Sequence, residues 1–209
     1  HATGDELFLR ESGWPMLKGV ADWIVSFVTK TDRGYETHHL ASPNETYHDV
    51  NNDAQMHLFI KAALREAIHF AGVLGLPAPR EWEDIAANLF MPTDPETGSL
   101  VQFEGFPLKT DTRASVGPMW GLFPLGVSCG ESVDRATQDY YSTNMSSYYG
   151  MPMSSSYCAV WAARMGQRGE ALNALEKGIA SRVVPPFMQM TEASTAHGSQ
   201  PWLTRVTDF

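Results

Sequence analysis

Cysteine is scarce: Cys129 and Cys158 are the only two in 209 residues. A disulfide framework needs more pairs than that, so the fold has to rest on a buried core, and two free thiols are the expected state. Positive charge is also short. Fifteen Lys and Arg stand against 24 Asp and Glu, a net charge of −9, which excludes the broad phosphate-neutralising surface of a nucleic-acid binder. Long hydrophobic runs are missing too. The uncharged stretch Ala114 to Gly130 is broken by Gly and Pro and is no membrane span. Low-complexity tracts and an obvious internal repeat are likewise absent, and 43% hydrophobic residues are enough for a real core. The chain opens at His1 and closes at Phe209, just after Pro201-Trp202-Leu203. This reads as a piece of something longer and leaves the compartment, secreted or vacuolar against cytoplasmic, open. Sequons at Asn44 and Asn144 would matter only in a secreted protein.

What is present is helical periodicity interrupted by long loops. From Glu6 to Val28, Leu7, Leu9, Trp14, Leu17, Val20, Ala21, Ile24, Phe27 and Val28 recur at steps of three and four, with Pro15 as a kink or a fresh start after Gly13. Thr29 to Val50 reads as a loop, too long for a plain connection and too aromatic for disorder, with Tyr35, His38, His39, Tyr47 and His48. A second helix is expected over Asn52–Leu74, stopped by Gly75 and Pro77, and a third over Glu81–Asn88. The Gly- and Pro-rich stretch Met91–Gly130 reads as loop, with a short strand around Val101-Gln102-Phe103. Helical pattern returns over Ser132–Met145, Ser154–Met165 and Glu170–Ser181, and loop follows from Val183. Helices alternating with elaborate loops make an all-α fold.

The loops hold the chemistry. Ala41 to Asn52 sets Glu45 between a proline turn, the rings of Tyr47 and His48, and the amides of Asn51 and Asn52. Cleaving a glycosidic bond takes a carboxylic acid kept protonated in a partly apolar pocket, with polar groups for the sugar hydroxyls. The plainer reading makes Asn51 or Asn52 a helix cap and Glu45 a solvated loop residue. Glu192, in Gln189-Met190-Thr191-Glu192-Ala193-Ser194, and Glu104, in Gln102-Phe103-Glu104-Gly105-Phe106, are two further loop carboxylates. Trp14 is a candidate for stacking on a sugar face, although tryptophans at helical spacing usually belong to a core.

Two other patterns point elsewhere. Gly126-Val127-Ser128-Cys129-Gly130 satisfies the G-x-S-x-G rule and precedes a helix, but the strand–helix alternation of an α/β-hydrolase is missing, whether His197 with Asp134 or with Asp139 is nominated as partners. His38, His39, His48, Asp49 and His57 lie close in sequence, yet none forms the i, i+4 pair with a helper Glu that marks a zinc site. No metal and no cofactor is called for.

Several blocks, in order, resemble the catalytic domain of glycoside hydrolase family 65, most closely its protein-glucosylgalactosylhydroxylysine glucosidase and acid trehalase branch. They are Gly13-Trp14 with Val20-Ala21-Asp22-Trp23, Ser42-Pro43-Asn44-Glu45, Val50-Asn51-Asn52, Leu74-Gly75-Leu76-Pro77, Gln102-Phe103-Glu104-Gly105-Phe106 and Thr191-Glu192. The resemblance implies an (α/α)6 barrel of the six-hairpin glycosidase type, of which residues 1–209 would be the C-terminal portion, about half, with the upstream part absent from this chain. It gives Glu45 the role of general acid and Glu192 that of general base on water, hence inversion. Tyr47, His48, Asn51, Asn52, Glu104, Lys109 and Trp14 become substrate-binding candidates. The family's Ser-Pro-Asp-Glu-Tyr here reads Ser42-Pro43-Asn44-Glu45-Thr46 with the tyrosine one place later, and its Lys-Gln pair reads Lys109-Thr110.

The implied reaction is release of a terminal α-linked glucose from a glucosyl-galactosyl-hydroxylysine-like unit. The alternatives are an acid trehalase or a disaccharide phosphorylase of the same family, or an inactive carbohydrate-binding relative. The implied partners are the glucoside and the remaining part of the barrel, with no nucleic acid and no membrane span. Half a ring of helices leaves an apolar face uncovered and is expected to be inactive by itself.

Overall fold

The computed structural model describes residues 4–43, 47–108, 116–145, 152–179, 182–184 and 189–190. Helices dominate it. The first begins with α1 (Glu6–Phe8), whose backbone is capped by the Asp5 carboxylate at 2.9 Å from the Phe8 amide. It passes through a π-helical turn, Leu9–Gly13, into α2 (Trp14–Phe27). The π turn has a local cause. Pro15 offers no amide hydrogen and its ring crowds the carbonyl four residues back, so the register loosens just before it, and the Trp14 amide reaches five residues back to Leu9.

Helix α3 (Ala54–Val73) is the spine of this part of the molecule, burying Leu58, Ile60, Leu64, Ala67 and Ala71 along one stripe. Its first turn is capped by Asp53, which accepts from the Met56 amide at 3.0 Å, and not by Asn51 or Asn52. Its last turn closes on Gly75, at φ +68°, with the Leu76 amide returning to the Ala71 carbonyl. Helix α4 (Arg80–Asn88) crosses to bury Trp82 and Ile85. Ala21 and Ile24 of α2, Ile60, Leu64 and Ala67 of α3, and Trp82, Ile85 and Leu89 from α4 and its end form one apolar cluster. Leu7, Phe8, Met16, Val20 and Trp23 of α1 and α2 stay exposed, Met16 at 67% and Trp23 at 50%.

Two sequence expectations fail in the loops. Thr29–Val50 is not loop throughout, because it opens with an antiparallel hairpin, β1 (Thr29–Thr31) and β2 (Gly34–Glu36), turning on Asp32 and Arg33. Gly34 is obligatory there: its φ is +118°, and a Cβ would lie 2.1 Å from the Asn88 carbonyl oxygen. That close approach, with the Phe90 amide on the Tyr35 carbonyl at 2.9 Å, seats the hairpin on the end of α4. Nor do Val101 to Phe103 form a strand. Only an isolated bridge, Thr93 to Leu100, forms nearby. The chain instead lies along the α3 entry, where the Gln102 carbonyl takes the Ala54 amide and the Asn51 carbonyl takes the Glu104 amide.

A 3₁₀ turn, Gly117–Gly121, and α5 (Glu131–Thr143) follow. The expected start of the G-x-S-x-G helix is here, and Ser128 is engaged in the turn that leads into it. Its hydroxyl donates to Asp134 and accepts from the Gly130 amide, while Asp134 also takes the Cys129 amide. The chain divides into two units, residues 1–134 and 135–209. In the second, α6 (Pro152–Arg164) and α7 (Arg168–Ile179) pack as a helical hairpin with Cys158, Trp161, Ala162 and Ala174 buried, and Gly178 is pressed against Ser155. Short strands β3 (Val183–Val184) and β4 (Gln189–Met190) pair antiparallel. Both cysteines are free, as the sequence led us to expect. Among the described residues no helix is long and apolar enough to cross a membrane.

Candidate functional site

The segment between β2 and α3 is shaped by its backbone before its side chains matter. Leu40 and Val50 exchange both backbone hydrogen bonds, at 2.8 and 2.9 Å, and the Ser42 amide meets the Tyr47 carbonyl at 2.9 Å. These contacts fasten the neck of the loop whose sequence contains Glu45. Three non-glycine residues in and beside that neck, His39, Asp49 and Asn52, have left-handed backbones with φ of 57°, 61° and 53°. His and Asn or Asp tolerate this region better than other residues, and such strain collects at binding and catalytic sites. The His39 Nδ1 meets the Asp49 carboxylate at 2.6 Å, tying the two strained positions together. Below them the Ser42 hydroxyl donates to Asp53 at 2.9 Å, joining the neck to the cap of α3. Burial raises the Asp53 carboxyl, against hydrogen bonds from Met56, Ser42 and Gln55.

Beside the neck lies a charged network that ties the hairpin to the Phe103-Glu104-Gly105-Phe106 turn. Arg33 uses two edges of its guanidinium. Its Nε and Nη2 face Glu36, with Nε to Oε1 at 3.2 Å, and its Nη1 and Nη2 face Glu104 at 2.6 and 3.2 Å. The plane of Arg33 rests over the Phe90 ring, 4.2 Å from its centroid. The Asn52 amide donates one hydrogen to Glu36 at 2.9 Å and the other to Glu104 at 2.7 Å, and its oxygen accepts from the Thr37 amide at 3.0 Å.

The electrostatic consequence separates the two carboxylates from any proton-donating role. Glu36 is buried, and hydrogen bonds from Arg33 first, then from Thr31 and Asn52, hold its carboxyl at about 2 against the desolvation that opposes them. Glu104 is lowered chiefly by Arg33, with Asn52 assisting. Arg33 is raised in turn by both partners, Glu104 first. At neutral pH this is two carboxylates and one guanidinium, net charge −1, with Glu36 buried and Arg33 and Glu104 partly open to solvent at 44% and 35% side-chain exposure. Its chemistry is that of a fixed hydrogen-bond acceptor.

Aromatic residues flank Glu104 in sequence and pack with one another. Tyr47 stands edge-on to Phe103 and Phe106, with centroids 5.0 and 5.9 Å away, and Phe103 meets Phe106 at 5.2 Å. His57, fully buried, donates from Nδ1 to the Phe90 carbonyl at 2.6 Å and accepts at Nε2 from the Thr37 hydroxyl at 2.8 Å. A carbonyl only accepts, which fixes this tautomer.

The structure thus brings together Tyr47, Asn51, Asn52 and Glu104 from the sequence-predicted set. Asn51 reaches Glu104 through its backbone and the His39 amide through its side chain. Asn52 is completely buried and its amide is fully spent, so it supports Glu104 from below. His48 is exposed beside Tyr47. Trp14 does not join this group; it tilts against Trp82 at 6.3 Å on the helix core. Glu45, Lys109 and Glu192 lie outside the described residues. Arg33 and Glu36 were missed in the sequence. The signal was there: Thr31-Asp32-Arg33-Gly34 is a turn sequence between two short β-prone runs.

An all-α chain of this arrangement has the (α/α)6-barrel glycosidase fold, of which it spans a part. The resemblance to the catalytic domain of glycoside hydrolase family 65 holds in its relatives. The chain is 30% identical to a periplasmic/secreted acid trehalase of Candida glabrata over 91% of its own length and 16% of the relative's. It is 25% identical to a kojibiose hydrolase of Flavobacterium johnsoniae, over 97% and 29%. It is 26% identical to a protein-glucosylgalactosylhydroxylysine glucosidase of Danio rerio, over 98% and 31%. Among solved structures, one described as a kojibiose phosphorylase from human microbiome superimposes with a TM-score of 0.50 at 13% identity, over 82% of this chain and 28% of that one. No family model matches. The chain therefore spans less than a third of the length of these curated relatives.

Proposed function

We propose that the chain carries the acid and the base of an inverting glycoside hydrolase that releases terminal α-linked glucose, Glu45 being the general acid and Glu192 the general base. The observation that carries this reading is the agreement of the relatives. A trehalase, a kojibiose hydrolase and a glucosidase, all hydrolases of glucosides, each align along more than nine-tenths of the chain. The Glu104 network supports it: an ionised carboxylate held by Arg33 and Asn52 beside the neck of the Glu45 loop suits sugar hydroxyls and leaves the proton-donating role to another group.

In the proposed reaction Glu45 protonates the leaving glycosidic oxygen while Glu192 takes a proton from a water on the opposite face of the sugar. The product then has inverted configuration. Lys109, Tyr47, His48 and Glu104 bind the glucoside, and the acceptor is a galactosyl-hydroxylysine-like unit. The rest of the barrel completes the site, and the exposed stripe of Met16, Val20 and Trp23 is where further helices are expected to pack.

The test is glucose release by the full-length protein from glucosyl-α-1,2-galactose, trehalose and kojibiose, each with and without phosphate, beside a Glu45→Gln variant. Phosphate-independent release, lost in the variant, is the expected result, and the preferred sugar assigns the acceptor. Cleavage that requires phosphate and yields glucose 1-phosphate in place of the terminal glucose makes the protein a phosphorylase. Absence of turnover with sugar binding intact would sink the enzyme reading.

A further inference from the structure

Arg33 belongs to no motif that led to the site, yet it is the most connected side chain beside it. Its five N–H groups can be counted against their acceptors. Nε donates to Glu36, Nη2 divides between Glu36 and Glu104, and one hydrogen of Nη1 goes to Glu104. Among the described residues one hydrogen of Nη1 is left over. Glu104 can be counted in the same way. Its Oε2 receives both Asn52 and Arg33, whereas among the described residues Oε1 receives only Arg33 Nη1, leaving one lone pair.

The spare donor and the spare acceptor sit on bonded neighbours 2.6 Å apart, on the same lateral edge of a planar guanidinium–carboxylate pair. Both side chains are partly exposed, at 44% and 35%. Neighbouring hydroxyls of a pyranose have the complementary need, since each hydroxyl both donates and accepts at a similar spacing. The pair is held rigid by Phe90 under the guanidinium, by buried Glu36 on its other edge, and by Asn52 bridging the two carboxylates. It therefore needs little ordering when a ligand arrives.

We propose that Arg33 and Glu104 act as one recognition unit for two adjacent hydroxyls of the sugar, Glu104 Oε1 accepting from one and Arg33 Nη1 donating to the next. The inference rests on the glycosidase reading for its ligand class. It goes beyond that reading by adding Arg33 and by making Glu104 dependent on it. Arg33 has two tasks here: it touches the sugar, and it orients the carboxylate that touches the neighbouring hydroxyl. Lysine cannot replace it, because a point charge has no second edge with which to hold Glu36 and Glu104 at once.

The experiment is a double-mutant cycle in the full-length protein with Arg33→Met, Glu104→Gln and the double variant, read both as kcat/KM for glucose release and as glucose affinity by calorimetry. A panel of 2-, 3-, 4- and 6-deoxyglucose serves as competing ligands. Each single variant is expected to lose about tenfold to a hundredfold, and the double variant little more than either single one. In the wild type, two deoxy sugars at adjacent positions bind weakly, and both variants lose that discrimination. Arg33→Met also isolates buried Glu36, so the cycle is repeated in a Glu36→Gln background, and Arg33→Lys is expected to fail like Arg33→Met while folding normally. Multiplying effects in the double variant, unchanged discrimination among deoxy sugars, or full activity in Arg33→Lys would each overturn the proposal. If the wild type binds glucose but never releases it from a glucoside, the hydrolase reading fails, and the same cycle on glucose affinity still decides this one.

Discussion

His57 offers a direct test of how the loop neck is built, because its ring is a buried neutral wedge between two elements. Burial is the leading cause that lowers it from 6.5 to about 4, and Lys61 adds to this, while the Phe90 carbonyl and Glu36 oppose. In the folded protein the ring stays neutral across a range where an unfolded chain would protonate it. The unfolded state then binds more protons, so stability rises with pH. The stabilisation is complete above about pH 6.5 and is lost as the pH falls toward 4. At ~1.4 kcal/mol per pH unit, the interval from 6.5 to about 4 amounts to about 3 kcal/mol. Glu36 loses its own contribution only lower, between 4.5 and about 2, so the two windows barely overlap. The measurement is urea unfolding of the full-length protein and a His57→Gln variant at half-unit steps from pH 7 to 4.5. Carboxylate titrations are common to both proteins and cancel in the difference. The variant is expected to be less stable at pH 7 by about 1–3 kcal/mol, because Thr37 or Phe90 loses a partner, and to approach the wild type as the pH falls. Parallel curves would refute the claim that this imidazole is neutral and wedged.

Other outcomes follow from single contacts. Gly34→Ala sets a methyl 2.1 Å from the Asn88 carbonyl at φ +118° and is expected to cost more than about 2 kcal/mol in equilibrium unfolding, with a loss of glucose affinity because Arg33 shifts with the hairpin. Asp53→Ala removes both the α3 cap and the Ser42 acceptor and should cost about 1–2 kcal/mol, whereas Asp53→Asn keeps most of the cap; thermal denaturation distinguishes them. Burial pushes the Cys129 thiol up to about 11 and the Cys158 thiol up to about 12, so iodoacetamide at pH 8 should label both slowly in the native protein and quickly in urea, as read by mass spectrometry.

The helices were legible because their stripes are long. Glu81–Asn88 differs from α4 by one residue, and the stop at Gly75 falls where the α3 carbonyls need a left-handed residue. The hairpin was not, because Thr29–Glu36 offers only three residues a side and its pairing is decided by the approach of Gly34 to Asn88, a contact between positions far apart in sequence. The Val101–Phe103 reading failed for a related reason: the apolar-polar alternation is real, but its backbone partners are Pro92 in the preceding loop and Ala54 at a helix entry, not another strand. Glu104 could be nominated from its flanking phenylalanines. The state of its proton could not, since that depends on Arg33, 71 residues away. The sequence offers Asn51 or Asn52 as the α3 cap, one or two residues before the actual Asp53, because asparagine caps as well as aspartate, and the engagement of Asn52 with Glu36 and Glu104 decides against it.

The left-handed backbones of His39, Asp49 and Asn52 also restrict which sequences can inherit this loop. A left-handed residue costs roughly 1–2 kcal/mol outside glycine, asparagine and aspartate, so random substitution at these positions mostly destroys the neck. Glycine relieves the strain at any of the three but gives up the His39–Asp49 link or the Asn52 bridge. A library of variants in this segment should therefore hold residues 39, 49 and 52 constant and spend its diversity elsewhere, because the shape that those three angles encode is what any altered binding would have to be built upon.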